Sequence, residues 1–510
     1  MSLGHKTLTG LLWQSLQVLA NRAANLVSRL VLAYLVSPAD FGVVAQAVSI
    51  LAIAAVVSDF GAGRLLIRRK KRFHQWVGPA AAFTFLSSFG VMALMMATAP
   101  VLANHWFHSP DVLWMLVILA LDLPLRALMV PARVGLQADM RFCDISRIQI
   151  IQGLFMVAAS IGLAAWLPAG QKVWSMIWSV PVTSLLGVVL FWRVKPIAFW
   201  RKLRPGRIKH LLKDSAGIAV YNILIQFVYY GDNLMLGRFQ HSKEPLGQYN
   251  MAYTLAVQMV NLVANSLSMV LFPALASVKD DKPKLRAAWM KAIKMLGFTA
   301  FPACLIQIPL ADPVMRLVLE EKWAPAIPMM QALSLGVAVR AVGILVEPLM
   351  FAAGRMRLVI AIGLMQAFCV VVAAAIGANF WPESQAGLAV AMGVSIAYTM
   401  MYTLAIALCA HEVGLPWWRP LAVLAKPFLC ACFAVGAAWA LALGPWPVLR
   451  VTWHGWGRDL GLLLEATAMA LVAIGLYFAL ARAFMREEMN DLLRRFKGVK
   501  NGPPAPVAAA

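Results

Sequence analysis

The chain has 510 residues, of which 61% are hydrophobic and only 13% are charged, about half the charged fraction of an ordinary soluble domain. A net charge of +23 would suggest a nucleic-acid partner in a soluble protein, but here most lysines and arginines fall in alternate loops between apolar segments. These features predict an all-α membrane protein with many spans and no nucleic-acid partner.

Apolar runs long enough to cross a bilayer recur along the whole chain. The run that begins at Val77 exceeds the roughly 20 residues needed to cross the hydrocarbon core. We predict fourteen transmembrane helices, at approximately 8–35, 41–66, 77–103, 111–135, 145–167, 173–193, 214–238, 247–277, 288–310, 325–351, 357–379, 386–409, 420–444 and 458–483.

The distribution of basic residues predicts the orientation of these helices. Basic clusters such as Arg68–Arg72 and Lys279–Arg286 fall on one side, so the positive-inside rule places both termini in the cytoplasm. The loops on the outer side are short, and the longest are Ala311–Ala324 and roughly Pro445–Gly457. Such loops disfavour a membrane glycan polymerase or ligase, which usually needs a large extracytoplasmic loop to build its site.

An internal repeat divides the chain. The turn SPADFGVVAQAVSIL (Ser37–Leu51) after helix 1 aligns with KEPLGQYNMAYTL (Lys243–Leu255) after helix 7 when Gly42 is matched to Gly247. Parallel repeats joined by a cytoplasmic linker are typical of transporters. We therefore predict an N-terminal six-helix lobe at 1–193, a basic interfacial linker at 194–213, a C-terminal six-helix lobe at 214–409, two further helices at 410–483 and a cytoplasmic tail at 484–510.

Polar residues form a stripe on predicted helix 1. Asn21, Asn25 and Arg29 are spaced i, i+4 and i+8, and Arg22 adjoins them near mid-bilayer. An arginine there costs roughly 2.5–3.5 kcal/mol on insertion scales, so it should face a wet cavity or a partner. The alternative is a structural hydrogen-bonding site between helices.

Similar polar positions lie in the second half. They predict a cavity wall, with amides that suit sugar hydroxyls and arginines that bind phosphates in a bidentate manner. We predict a large anionic, sugar-bearing substrate, with no catalytic residue, metal site or cofactor. The residues of this wall are Asn222, Gln226, Asn233, Asn261, Arg340 and Glu347.

The remaining intramembrane charges allow two interpretations each. Asp122 and Arg126 are spaced i, i+4 and are predicted to neutralise one another. Asp59 is a candidate protonation or cation site, or else an ion-pair partner of a helix 1 arginine.

Prolines predict interruptions of the helices, at Pro124, Pro131, Pro302 and Pro348.

Two stretches resemble the signatures of a known family. LVLAYLVSPADFGVVAQAVSILAIAAVVSDFGAGRLLIRR (Leu30–Arg69) and GDNLMLGRFQHSKEPLGQYNMAYTLAVQMVNLVANSLSMVLFPALA (Gly231–Ala276) are similar to the polysaccharide transporter family. These are the Wzx-type flippases of the MATE-related MOP exporter superfamily, and the WzxC-like branch is the most similar.

The resemblance implies a bacterial inner-membrane flippase for undecaprenyl-diphosphate-linked oligosaccharide units, which works by alternating access of a cationic cavity. It implies membrane lipids around it, candidate H⁺ or Na⁺ coupling, and a polymerase and chain-length regulator as candidate partners. The alternative is a MATE-like ion-coupled exporter of small molecules. From the polar stripes and their depth, we predict that the substrate is bound by Arg22, Arg29, Asn25, Asn222, Gln226, Asn233, Asn261 and Arg340. The candidate ion-coupling residues are Asp59, Asp232 and Glu347.

Overall fold

The computed structural model describes residues 3–59, 73–196, 205–264, 278, 281–440, 456–486 and 489. These residues form helices and no strand, as predicted. The seventeen α-helices that they contain are α1 (Leu3–Leu35), α2 (Pro38–Asp59), α3 (Phe73–Val101), α4 (Asp111–Ala120), α5 (Asp122–Ala138), α6 (Phe142–Trp166), α7 (Trp174–Val194), α8 (Pro205–Phe239), α9 (Glu244–Met259), α10 (Lys282–Leu305), α11 (Gln307–Val318), α12 (Ala326–Gly343), α13 (Val346–Ala352), α14 (Met356–Phe380), α15 (Glu383–Glu412), α16 (Trp418–Ala440) and α17 (Trp456–Phe484).

Ten helical stretches in the described part of the chain are long and apolar enough to cross a membrane, or eleven when the bent pair α10 and α11 is one span. The chain is thus a helical membrane protein, and the count of fourteen spans stays a prediction. The predicted linker at 194–213 contains the start of α8 at Pro205, and its interfacial role stays a prediction. The predicted outer loop Ala311–Ala324 is too long, because α11 continues to Val318. The basic run Arg68–Arg72 lies outside the described residues.

Prolines explain three breaks between helices. A proline has no N–H for the carbonyl four residues before it, and its ring clashes with that carbonyl. The α4–α5, α10–α11 and α12–α13 breaks each lie about one turn before a proline, at Pro124, Pro309 and Pro348 respectively. The predicted interruptions at Pro131 and Pro302 are wrong, because α5 and α10 continue through them.

The chain divides into two compact units. Unit 1 comprises Met1–Met251, Leu319–Pro325 and Ile360–Gly393, and unit 2 comprises Ala252–Val318, Ala326–Val359 and Val394–Ala510. Helices α9, α14 and α15 each contribute to both. The predicted lobes were defined by the sequence repeat and stay a prediction.

In unit 1, α1 packs along α6, and α7 packs on both α5 and α6. Ser28 of α1 and Ser160 of α6 share a buried hydrogen bond of 3.0 Å. Gly153 leaves room for Asn21, whose Oδ1 lies only 2.2 Å from where a Cβ on that glycine would stand. The close α1–α6 contact therefore depends on small residues.

In unit 2, α16 packs between α10 and α17. The Tyr477 hydroxyl of α17 donates a 2.7 Å hydrogen bond to the Phe298 carbonyl of α10. Trp289 of α10 is fully buried. The two C-terminal helices are thus an integral part of this unit.

The two aligned turns of the repeat meet within unit 1. A Cβ on Gly42 would lie 2.0 Å from the Lys243 carbonyl oxygen, and a Cβ on Gly247 would lie 1.7 Å from that of Pro38. Trp323 covers the same place, since its Nε1 donates to the Ala33 carbonyl at 3.1 Å and its ring packs edge-on against Phe41. By the predicted topology, these contacts close the outer ends of the helices.

Candidate functional site

The predicted stripe on α1 is divided among three environments. Asn21 packs against Gly153 of α6, whereas Asn25 is exposed and donates to the Asn21 carbonyl at 2.7 Å. Arg22 and Arg29 are half-buried. The stripe therefore combines a structural contact at Asn21 with polar groups that remain accessible.

Arg29 joins α1 to α9. Its Nη1 donates a 3.1 Å hydrogen bond to Asn250 Oδ1, and Tyr230 of α8 lies within electrostatic reach of its guanidinium. A guanidinium has five N–H donors, so this bond leaves others for further partners. Because the amide is neutral, the bond positions the guanidinium without cancelling its charge. Arg29 is thus held by polar groups from another helix of unit 1.

The residues predicted on α8 and on the π-helical turn Val260–Ala264 that follows α9 differ in exposure. Asn222, Gln226 and Asn261 are half-buried, and Gln226 donates to the Ala52 carbonyl at 3.1 Å. Asn233 is only 1% exposed, and its Oδ1 has no hydrogen-bond partner among the described residues. An amide enclosed in this way contacts protein in the present conformation.

Asp232 is a fully buried carboxylate in unit 1. It accepts a 2.6 Å hydrogen bond from the Tyr249 hydroxyl and a 2.7 Å bond from the Asn233 backbone N–H. The other two candidate acids, Asp59 and Glu347, are half-buried. Of the three, Asp232 has the most enclosed environment.

Arg340 forms the centre of a cluster in unit 2. Its Nη1 donates to the hydroxyls of Tyr253 at 2.8 Å and Tyr398 at 3.3 Å, and its guanidinium lies 5.2 Å from the Tyr398 ring centroid. The two hydroxyls are themselves 3.1 Å apart. Arg340 is 6% exposed and Tyr398 is fully buried, whereas Tyr253 is half-buried. Arg340 therefore supports the Tyr253 hydroxyl, which is the more accessible group.

Small residues let α12 and α15 approach closely on both sides of this cluster. A Cβ on Gly336 would lie 2.5 Å from the Ser395 Cα, and a Cβ on Gly343 would lie 2.2 Å from the Tyr402 ring. The Gly336 N–H donates to Ser395 Oγ at 2.7 Å. The arginine and tyrosines are thus built into a tight helix pair.

The predicted Asp122–Arg126 pair is confirmed, since Arg126 Nε contacts Asp122 Oδ2. Asp122 also accepts a 2.5 Å hydrogen bond from Ser184 of α7. Sequence reasoning missed Ser184, Tyr253 and Tyr398, because spacing along one helix cannot show partners on another.

Comparison with known proteins gives the family. The family described as "Polysaccharide biosynthesis protein" matches residues 31–328, more than half of the chain. The chain belongs to this family. The resemblance predicted from the two signature stretches is therefore confirmed.

Curated relatives agree with this assignment. The lipopolysaccharide biosynthesis protein WzxC of Escherichia coli K12 is 26% identical over 421 residues, which are 79% of this chain and 79% of that protein. The teichuronic acid biosynthesis protein TuaB of Bacillus subtilis 168 is 23% identical over 55% of this chain and 58% of its own length.

Solved structures share the fold. The lipid II flippase MurJ, in an inward closed conformation, matches with a TM-score of 0.73 and 14% identity, over 94% of this chain and 100% of that one. An inward-facing multidrug resistance MATE transporter of the MOP superfamily matches with a TM-score of 0.60 and 13% identity, over 77% of this chain and 94% of that one. The polysaccharide biosynthesis protein thus has a MurJ-like and MATE-like fold.

Proposed function

We propose that the protein is a flippase that moves undecaprenyl-diphosphate-linked oligosaccharide units across the bacterial inner membrane, by alternating access of a cationic cavity. The units then supply exopolysaccharide, capsule or O-antigen synthesis. The basic loops favour cytoplasmic termini. A polymerase and a chain-length regulator are candidate partners, because the delivered units must be joined.

One combination of observations carries this proposal. A membrane chain of a polysaccharide biosynthesis family has, over 94% of its length, the fold of a lipid II flippase. Lipid II, the molecule in that protein's name, is itself a sugar on a polyprenyl diphosphate. Family and fold therefore support the same class of cargo.

The side chains fit such a cargo. Arg22 and Arg29 carry charge into the membrane segment, and guanidinium groups suit diphosphates and acidic sugars. The amides of Asn25, Asn222 and Gln226 have the donors and acceptors that sugar hydroxyls need. Asn233, Asn261 and Arg340 complete the proposed set, with Arg340 acting mainly through Tyr253.

The main alternative is a MATE-like ion-coupled exporter of small molecules. An exporter of cationic drugs would need an acidic cavity, whereas Arg22 and Arg29 make this one basic. The MATE match also covers only 77% of the chain. A polymerase or ligase is disfavoured because the outer turns that the structure describes are short.

Gene deletion separates these functions. A strain without the protein should accumulate lipid-linked units on the cytoplasmic leaflet and produce no polymer. Single units that still reach the cell exterior would indicate a polymerase or ligase instead. Normal polymer with altered drug tolerance would indicate the exporter.

A further inference from the structure

Two arginines lie at corresponding depths in the two repeats. Arg126 is about four turns from the start of α4 at Asp111, and Arg340 is about four turns from the start of α12 at Ala326. Each belongs to the fourth predicted helix of its repeat. The repeat therefore allows a direct comparison of their surroundings.

The residue four positions before each arginine differs. It is Asp122 in the first repeat, which receives a hydrogen bond from Ser184 of α7. It is Gly336 in the second repeat, whose N–H donates to Ser395 of α15. A serine of the sixth helix of the repeat thus contacts this position in both halves, but only the first half has a carboxylate there.

The exposure of the two arginines differs accordingly. Arg340, with no acid one turn away, is held by tyrosines and its residue is 6% exposed. The Arg126 side chain is 52% exposed, although its partner Asp122 is fully buried. The buried carboxylate binds the guanidinium at Nε, while about half of the Arg126 side chain remains exposed.

The free edge of Arg126 has the geometry of an anion receptor. In the part of the chain that the structure describes, the Nε contact with Asp122 is its only hydrogen bond. The terminal Nη groups therefore remain as a planar two-donor fork, which matches phosphate oxygens. An exposed arginine in a membrane span is costly against lipid, so this fork should face water or a ligand.

Arg126 and Arg29 share an electrostatic neighbour in unit 1. Tyr230 of α8 interacts electrostatically with both Arg29 of α1 and Arg126 of α5. The two guanidinium groups, from different helices, thus both act electrostatically on one half-buried tyrosine. Asp122 neutralises the formal charge of Arg126, so Arg29 supplies net charge and Arg126 supplies oriented donors.

We propose that Arg126 is a diphosphate-binding residue that acts with Arg29, and that Asp122 and Ser184 are its positioning residues. This inference rests on the proposed function, because it names the part of the flippase that contacts the diphosphate. It predicts an unequal use of the two repeats, with direct anion contact at Arg126 and a structural role for Arg340.

The test measures lipid binding by purified protein in phosphatidylcholine nanodiscs. The probes are radiolabelled undecaprenyl diphosphate and the phosphate-free polyprenol. Arg126→Gln should raise the Kd for the diphosphate about tenfold, the effect of losing charge-assisted hydrogen bonds, and should leave polyprenol binding unchanged. Arg126→Lys should restore it only in part, because lysine lacks the fork.

Arg141→Gln is the matched control, since Arg141 also contacts a carboxylate, that of Asp144, through Nε and is 47% exposed. It should bind both probes like the wild type. Ser184→Ala should weaken diphosphate binding less than Arg126→Gln does. Ser184→Thr keeps the hydroxyl and should bind the diphosphate like the wild type. Wild-type binding by the threonine variant would support positioning of Arg126 through the hydroxyl of residue 184 and Asp122.

Two outcomes separate the failures. If the wild type shows no preference for the diphosphate over the polyprenol, the proposed function itself is contradicted. If the preference exists, the decisive variant is the double change Asp122→Asn with Arg126→Gln, which leaves no unpaired buried charge and should preserve the melting temperature. Wild-type diphosphate binding by this double variant would overturn the proposed role of Arg126 and leave the proposed flippase function intact.

Discussion

Gly42 and Gly247, which the sequence repeat pairs, lie against each other's turns. Each glycine faces the carbonyl oxygen four residues before the other, Lys243 for Gly42 and Pro38 for Gly247. This reciprocal contact is what a two-fold relation between the turns requires. A side chain at either position would separate the first helix pair of one repeat from that of the other.

Gly247→Ala should therefore weaken the outer closure. The added Cβ would lie 1.7 Å from the Pro38 carbonyl oxygen, so the turns must move apart. We expect a lower melting temperature and faster labelling by an external thiol reagent of a cysteine placed at Val36, which is only 2% exposed. Gly90→Ala is the control, because nothing lies within 4 Å of its added Cβ. Unchanged labelling and melting in Gly247→Ala would exclude this closure.

Arg29→Gln should reduce transport more than Asn250→Leu. The glutamine removes the charge, at a cost of about tenfold or more in anion affinity, whereas the leucine removes only the 3.1 Å bond that holds Arg29. Initial transport rates over a range of substrate concentrations would show a higher KM for Arg29→Gln. Arg147→Gln, at an exposed arginine that packs on Trp13, serves as the control. Equal effects of all three changes would argue against a specific anion contact.

Tyr398→Phe should destabilise unit 2. It removes the bonds of the buried hydroxyl to Arg340 and Tyr253, and leaving buried polar groups unpaired costs about 1–3 kcal/mol. The melting temperature should fall, and it should fall less in Tyr34→Phe, because that residue is 48% exposed. A Tyr398→Phe protein with wild-type melting would show that the tyrosine cluster does not hold Arg340.

Asp232→Asn tests ion coupling. An asparagine oxygen can still accept the Tyr249 hydrogen bond, so the fold should survive, but the group can no longer take up a proton or bind a cation strongly. If Asp232 is the coupling residue, transport should lose its dependence on a proton or sodium gradient. Persistence of the wild-type gradient dependence would leave Asp232 with a structural role.

Lys243 gives the outer closure a pH dependence. Its Nζ donates to the Phe107 carbonyl at 2.7 Å and to that of Gln240 at 3.1 Å. Burial lowers the pKa of Lys243 from 10.5, against the opposing effect of Glu383. The folded protein therefore releases this proton at a lower pH than the unfolded chain, and the free energy of unfolding should rise with pH between the lowered pKa and 10.5.

Melting curves of the wild type and Lys243→Met, measured at increasing pH up to 10.5, would check this. The wild type should gain stability relative to the variant as the pH rises through this window. A relative loss over the same window would mean that the fold instead raises the pKa of Lys243.

The sequence predicted the helices well because hydropathy and charge act along the chain. The predicted ends of α6 and α14 lie within a few residues of the observed ones. The alignment of the two turns could also be found from the sequence, because the close approach of their backbones requires glycine at positions 42 and 247. In contrast, the α10–α11 break was misplaced, since Pro302 is accommodated inside α10 and the break precedes Pro309.

The site was less predictable because periodicity shows which residues share a helix face but not what that face contacts. Asn21 and Asn25 are one turn apart, yet Asn21 packs on Gly153 of α6 and Asn25 is exposed. Arg126 pairs with Asp122 as predicted, but its exposed side chain was not foreseen. Arg340 was expected to face the cargo and is buried. These differences depend on partners from other helices, such as Ser184 and Tyr398.

Direct measurement of lipid translocation tests the proposed flippase activity. The protein is reconstituted into liposomes that carry a fluorescent undecaprenyl-diphosphate-linked oligosaccharide in both leaflets, and a membrane-impermeant reagent quenches the outer leaflet. We expect protein-containing vesicles to expose the inner-leaflet lipid over time, and Arg29→Gln vesicles to do so much more slowly. Protected fluorescence equal to that of protein-free vesicles, under every imposed ion gradient, would show that the protein is not a flippase for this lipid.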